Sequence, residues 1–391
     1  MFSLLAAIFI KNRDDVKNPK VRESYGVLSG IVGIVFNFLL FASKLFAGLL
    51  SKSVSVIADA FNNLSDAAAS IVTIVGFRLS VKNPDDEHPF GHGRMEYISG
   101  LIVSFLILFV GLELLKSSIS AIFNPVDLDS SAFTIIALCV SILIKFYMFL
   151  YNRRIAKKIE SAAMDATSKD SLNDCVSTLA VLLVIIATKL FPQLKLPLDG
   201  IAGILVALFI IKGGIDSVKE TVDPLLGKKA NPEFVAEIEK TVMAHSMVRG
   251  IHDLVVHDYG PGRTMVSLHV EVPGNLDIFS IHDEIDCIEV ELSKKFKCDA
   301  TIHMDPVDLN NEKIAELKEY LAKVSKEINP ELTVHDVRMV PGKTHTNVIF
   351  DAVKPFGCKL TPLELQKELS KKVKEFNKSY NAVIHLDMPF C

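Results

Sequence analysis

The 391-residue chain is half hydrophobic, with a mean hydropathy of +0.35, which is too apolar for an ordinary soluble protein. Its 23% content of charged residues excludes a chain that lies in a membrane throughout, and the net charge of -4 gives no basic footprint for nucleic acid. Two unlike parts are therefore required: long apolar runs up to about Ile215, and the alternation of a soluble domain from about Lys219.

The first ten residues, Met1 to Ile10, are apolar but lack a basic leading segment and run into Lys11 and Arg13. They suit an amphipathic helix at the membrane interface better than a signal peptide. Six membrane spans follow, over Tyr25–Leu50, Val54–Leu79, Tyr97–Phe123, Ala132–Tyr151, Ala162–Phe191 and Leu198–Ile215. Arg78, Lys82 and Arg94 flank the loop after the second span, and Arg153, Arg154, Lys157 and Lys158 follow the fourth. Lys11, Arg13, Lys17, Lys20 and Arg22 precede the first, so both termini are expected on the cytoplasmic side. The six cysteines form no CxxC pair, which argues against a disulfide framework and suits a reducing compartment.

The soluble part repeats itself. Helical stretches Pro232–His245 and Ser280–Phe296 interleave with strand patterns Ile251–His257, Thr264–Val272 and Ala300–Asp305. The order returns as Glu312–Ile328, Thr333–Val340, Thr346–Ala352, Pro362–Phe376 and Ala382–Asp387. Matching words fix the register: His252-Asp-Leu with His335-Asp-Val, Pro261-Gly-Arg-Thr with Pro341-Gly-Lys-Thr, and Ile302-His-Met-Asp305 with Ile384-His-Leu-Asp387. We expect an N-terminal segment (1–24), a helical transmembrane domain (25–227) and two tandem cytoplasmic α+β domains of ferredoxin-like αββαβ order (228–308 and 309–391).

Chemistry concentrates where the apolar spans carry polar residues. Asn62 and Asp66 are four apart, as are Asp170 and Asp174, so each pair shares one helix face. Each buried carboxylate costs roughly 3 kcal/mol on insertion scales, so three require a compensating cation. The donors are all oxygen, which suits Mn²⁺, Mg²⁺ or Ca²⁺ better than Zn²⁺. Protons can replace a departing metal on clustered carboxylates, the chemistry of an antiporter. Asp59, nearer the outer end of its span, suits a solvated or capping role.

Two further sets follow. In the loop after the second span, Asp85, His88 and His92 could converge on a metal, against the plainer reading of a solvated polar turn. In the first soluble unit, His252, His269, His282, His303 and Asp305 offer imidazoles and a carboxylate, a transition-metal set. The second unit keeps His335, His385 and Asp387, but Ile349 falls where His269 would be and nothing matches His282. That copy is expected to pack or dimerise, not to bind metal.

With these residues identified, the chain resembles the cation diffusion facilitator family of divalent-metal/proton antiporters. Ala58-Asp-Ala-Phe-Asn-Asn-Leu-Ser-Asp66 looks like the family's transport-site helix, and His88-Pro-Phe-Gly-His-Gly-Arg-Met-Glu96 looks like its HxFGHG(K/R)xE signature. The resemblance covers the chain to about Pro306. It implies six spans, a cytoplasmic αββαβ domain, homodimerisation in a lipid bilayer and alternating access. It places transport on Asn62, Asp66, Asp170 and Asp174, with further metal at Asp85, His88 and His92, and at His252, His269, His282, His303 and Asp305. Arg94 and Asp223 match a pair that locks the family's dimer. Zinc-moving members carry His at the position of Asp170 and generally Asp at that of Asn62, so the quartet is similar to the manganese-exporting branch. The soluble histidines look like a zinc-type regulatory set.

These readings converge on a secondary transporter, not an enzyme, that exports Mn²⁺ (alternatively Zn²⁺ or Fe²⁺) with protons as counter-ion, in a plasma membrane of bacterial type. An intramembrane aspartyl hydrolase would need one catalytic carboxylate on each of two helices, and no GxGD or HExxH word occurs. A membrane-tethered metal sensor without transport is the alternative of another class.

Overall fold

The computed structural model describes residues 2–16, 18–51, 54–123, 132–190, 198–308 and 311–389. Seven helices form its first part: α1 (Phe2–Phe9), α2 (Pro19–Ser51), α3 (Val54–Ser80), α4 (Met95–Phe123), α5 (Ala132–Ile159), α6 (Ala162–Leu190) and α7 (Leu198–Leu225). Among the described residues, α2, α4, α5, α6 and α7 contain segments of 26 to 29 residues that are long and apolar enough to cross a membrane. The 27-residue α3 was also drawn as a span, but Asn62, Asn63 and Asp66 dilute its hydropathy and it is not among the five.

The helices outrun the apolar segments that define them. The fourth predicted span stops at Tyr151, yet α5 continues to Ile159; the sixth stops at Ile215, yet α7 reaches Leu225. A helix leaving the bilayer needs only one apolar face to keep packing. On α5 that face is Ile155 and Ile159, buried with Phe2 and Ala6 of α1. Phe2 stacks on Tyr151 at 4.9 Å while Leu4 and Ile8 stay exposed, so α1 is two-faced as its sequence suggests. Small residues bring α2 and α3 together: a Cβ at Gly26 would strike the Phe77 ring, and one at Gly30 would strike Ile74.

The soluble part contains α8 (Pro232–Met243), β1 (Gly250–Asp258), β2 (Thr264–Pro273), α9 (Ile278–Phe296) and β3 (Cys298–Val307), then α10 (Glu312–Ile328), β4 (Thr333–Pro341), β5 (Thr346–Val353), α11 (Pro362–Phe376) and β6 (Tyr380–Asp387). Local chemistry sets the helix starts. Asn231 and Asp277 cap α8 and α9, and Thr361 with Glu364 makes a reciprocal capping box on α11. The sheets run β1-β2-β3 and β4-β5-β6. In each, the last two strands are parallel, with His269 beside His303 and Asp351 beside His385.

Alternation gives each sheet an apolar and a polar face. Val266, Leu268 and Val270 pack with Ile285 and Ile288 in one core; Val348 and Phe350 pack with Leu317 and Leu369 in the other. His269 and Asp351, at the intervening positions, therefore belong to the opposite faces. The chain divides into two compact units: 1–228 with the β1–β2 turn Asp258–Arg263, and the remainder.

Candidate functional site

The membrane unit brings two of its polar helix faces together. Asp66 on α3 and Asp170 and Asp174 on α6 each offer a carboxylate oxygen, and the three oxygens lie within 4.8 Å of one another. They line a cavity of about 700 Å³, on whose wall the fourth expected residue, Asn62, also lies. The side chain of Asp59 lies outside the described residues.

A cation that sequence reasoning missed sits among them. Lys145 of α5 places its Nζ 2.6 Å from Asp66 and 2.5 Å from Asp174, with its side chain only 3% exposed. A buried carboxylate cluster without a counter-charge is costly, and the ammonium supplies one. Asn173, also buried, turns an amide nitrogen with no hydrogen-bond partner toward the same helix packing. The site thus has three carboxyl groups and a built-in cation, with Asn62 on the wall of the same cavity.

The loop set also assembles. Asp85 lies 3.4 Å from His88 and 3.5 Å from His92, and the two rings lie 4.6 Å apart, tilted by 48°. Lys82, 2.7 Å away, donates to Asp85 and pushes its carboxyl down to about 2. Asp85 therefore stays a carboxylate through any physiological pH. Glu96, at the end of the same sequence stretch, is buried against Arg22 at 2.9 Å and joins the ends of α4 and α2. Arg94 donates to the Asp258 carbonyl at 2.9 Å and lies over the Tyr259 ring. Among the described residues it has no ion pair with Asp223 within the chain.

Four of the five soluble-unit candidates meet. Asp305 lies 3.3 Å from His252, 2.9 Å from His269 and 3.4 Å from His303. His282 stays apart on α9, 61% exposed, facing Asp286 at 3.4 Å. The second copy departs from the expectation. Sheet register puts Asp351, not Ile349, opposite His385, the place His269 holds opposite His303. The β-hairpin of the second copy is two residues longer between its Pro-Gly turn and this position, so an offset taken from that turn falls on Ile349.

The repeated His-Asp words have a structural meaning beyond register. Asp253 and Asp336 both adopt left-handed backbone at φ 49°. In β4 this coincides with a register shift between His335 and Arg338. A bulge of this kind re-aims a side chain, so His and Asp leave the strand on one face while Leu254 and Val337 return to the cores. Asp253 then meets both His252 and His335 at 3.3 Å, and those two rings lie 4.5 Å apart, tilted by 34°. Burial pushes the Asp253 carboxyl up, but His335, His252 and His269 outweigh it and hold the group below its usual value. Burial pushes Asp351 the other way, upward, with Asp336 and Asp387 adding to the effect.

Comparison with known proteins follows these lines. The cation efflux transmembrane domain matches residues 30–226, and the cation efflux protein cytoplasmic domain matches residues 230–307. An uncharacterized transporter of Methanocaldococcus jannaschii is 32% identical over 71% of this chain and 97% of its own length. The manganese efflux system protein MneP of Bacillus subtilis is 30% identical over 73% of this chain and 97% of its own. The cation-efflux pump FieF of Citrobacter koseri is 27% identical over 73% and 95%. Two apolar-helix and soluble segments matched in tandem, with the carboxylate cluster in the first, identify the chain as a member of the cation efflux, or cation diffusion facilitator, family.

Proposed function

We propose that the protein exports a divalent cation, Mn²⁺ foremost, from the cytoplasm in exchange for protons. The observation that carries this reading is the convergence of Asp66, Asp170 and Asp174 from two helices around Lys145. Asn62, Asp66, Asp170 and Asp174 hold the cargo as hard oxygen donors. Lys145 stands in for the cargo before loading, so an arriving dication must displace the ammonium from Asp66 and Asp174. Its return to the carboxylates, with protons on the remainder, favours release.

The α3 helix is the sixth span in this reading, its polar residues facing the cavity and not lipid. The basic loops place both termini on the cytoplasmic side, the Arg94–Asp223 pair acts between two chains of a homodimer, and each αββαβ unit is ferredoxin-like. The metal preference is supported by the all-oxygen quartet and by a relative named for manganese efflux. The imidazole-rich set around Asp305 favours a second reading, Zn²⁺ export, with the same pathway.

Vesicles reconstituted with the protein and loaded with a pH-sensitive dye test the exchange. A Mn²⁺ gradient should drive proton movement that Asp174→Ala abolishes. Absence of Mn²⁺-driven proton flux, or flux indifferent to that substitution, would remove the reading.

A further inference from the structure

The membrane carboxylates have Lys145; a second carboxylate cluster has no such partner. Asp253 of β1, His335 of β4, Asp351 of β5 and Asp387 of β6 each offer one ligand atom, all within 4.8 Å of one another. All four are half-buried. Among the described residues no lysine or arginine pairs with any of the three aspartates. Their charged neighbours are imidazoles: His252 and His335 at 3.3 Å from Asp253, and His385 at 3.1 Å from Asp387. Like charges held this close repel unless a cation joins them.

We propose that Asp253, His335, Asp351 and Asp387 form a divalent-cation site in which the second αββαβ unit supplies three ligands and the first supplies the fourth. The residues lie outside both stretches matched by the family, except Asp253, which lies within 230–307. Three observations make it a site and not an acidic patch. The donors come from three strands of one sheet and one strand of the other. Asp253 sits at a left-handed backbone position and its carboxylate lies 3.3 Å from His335. His252, whose Nδ1 faces Asp253 at 3.3 Å, packs against His335 with ring centroids 4.5 Å apart.

The donor chemistry defines the ligand class. Three carboxylate oxygens and one imidazole nitrogen suit a hard or borderline dication such as Mn²⁺. The neighbouring set of His252, His269, His303 and Asp305 has the reverse balance, because Asp351 stands where His269 stands in the first copy. The tandem repeat therefore makes two adjoining sites of different hardness, tied by Asp253 and by the Lys318–Glu271 ion pair at 2.8 Å. A metal in the second would clamp the two units. This inference does not rest on transport.

The full-length protein, purified in detergent, is titrated with Mn²⁺ and free ion is read by electron paramagnetic resonance. The Asp351→Asn/Asp387→Asn variant should bind one Mn²⁺ fewer per chain. Asp253→Asn should weaken the same equivalent at least tenfold. Asp66→Asn/Asp174→Asn should leave that equivalent in place, which separates it from the transport site. Unchanged binding in the Asp351/Asp387 variant overturns the site, and wild-type affinity in Asp253→Asn overturns its sharing between units. If a variant fails to fold by circular dichroism, crystals of the wild-type protein grown with Mn²⁺ decide: an anomalous peak between Asp351 and Asp387 supports the proposal, and its absence overturns it.

Discussion

The membrane cluster and the cluster between the repeats are both three aspartates with one nitrogen group, yet they balance charge differently. In the membrane, Lys145 carries a fixed positive charge against Asp66 and Asp174 at hydrogen-bond distance. Between the repeats, Asp253, Asp351 and Asp387 have imidazoles as neighbours and, among the described residues, no lysine or arginine. As the proposed transport site, the membrane cluster must be able to empty, and a tethered cation makes the empty state tolerable. A resident site needs no such device, because its metal is the compensation.

The largest expected effect tests the membrane half of this contrast. Asp174→Ala removes a ligand and leaves the Lys145 ammonium with one buried partner where it had two. Breaking a buried ion pair costs roughly 3–5 kcal/mol, so Mn²⁺ transport should fall by about 100-fold or more. Transport within a few-fold of wild type, measured in vesicles, would break the comparison.

Lys145→Met should act in the opposite sense on binding. Without the competing ammonium, Mn²⁺ affinity should rise roughly tenfold while turnover slows, since the empty site loses its counter-charge. Equal affinity in the variant and the wild type would mean that Lys145 does not compete with cargo. Asp170→His introduces a softer donor and should shift Mn²⁺/Zn²⁺ preference toward Zn²⁺ by about tenfold. Unchanged selectivity would detach Asp170 from the cargo.

The smallest effect concerns the soluble cluster. Asp351 and Asp336 have carboxyls pushed above their ordinary 3.8, in both cases first by burial. A raised folded-state value means that the folded protein holds these protons more tightly than the unfolded chain. Metal-free protein should therefore gain stability as pH falls from neutral through the raised values toward 3.8, the range in which the unfolded carboxyls are still ionised. Asp351→Asn should raise the metal-free melting temperature by about 2–4 °C and remove part of that pH dependence. A lower melting temperature in chelator would show that Asp351 stabilises without metal.

Much of the molecule was legible before any coordinates. Apolar run length gave the long helices, and the i, i+4 spacing of Asn62 with Asp66 and of Asp170 with Asp174 gave the polar faces that line one cavity. Lys145 was not legible, because its partners come from two other helices and helical periodicity within α5 carries no trace of them. Asp351 was hidden because the Pro-Gly turns set a shorter offset, which falls on Ile349, than the one that relates His303 to His385 and His269 to Asp351. The bulges at Asp253 and Asp336 escaped for a related reason: a strand read with strict period two sends neighbouring residues to opposite faces. His282 was grouped by residue type, and only the packing of α9 shows it turned toward Asp286 instead.

The ammonium at the membrane cluster also bears on what drives the cycle. A lysine charge that returns with the protein cancels over a full turn, so in the proposed exchange it alters the energy of individual steps and adds no net electrical work. Each elementary charge carried through 100 mV is worth about 2.3 kcal/mol. In the proposed exchange, Lys145 covering two carboxylates leaves fewer places for protons on the emptied cluster, and the response to membrane voltage then follows from how many protons enter for each dication.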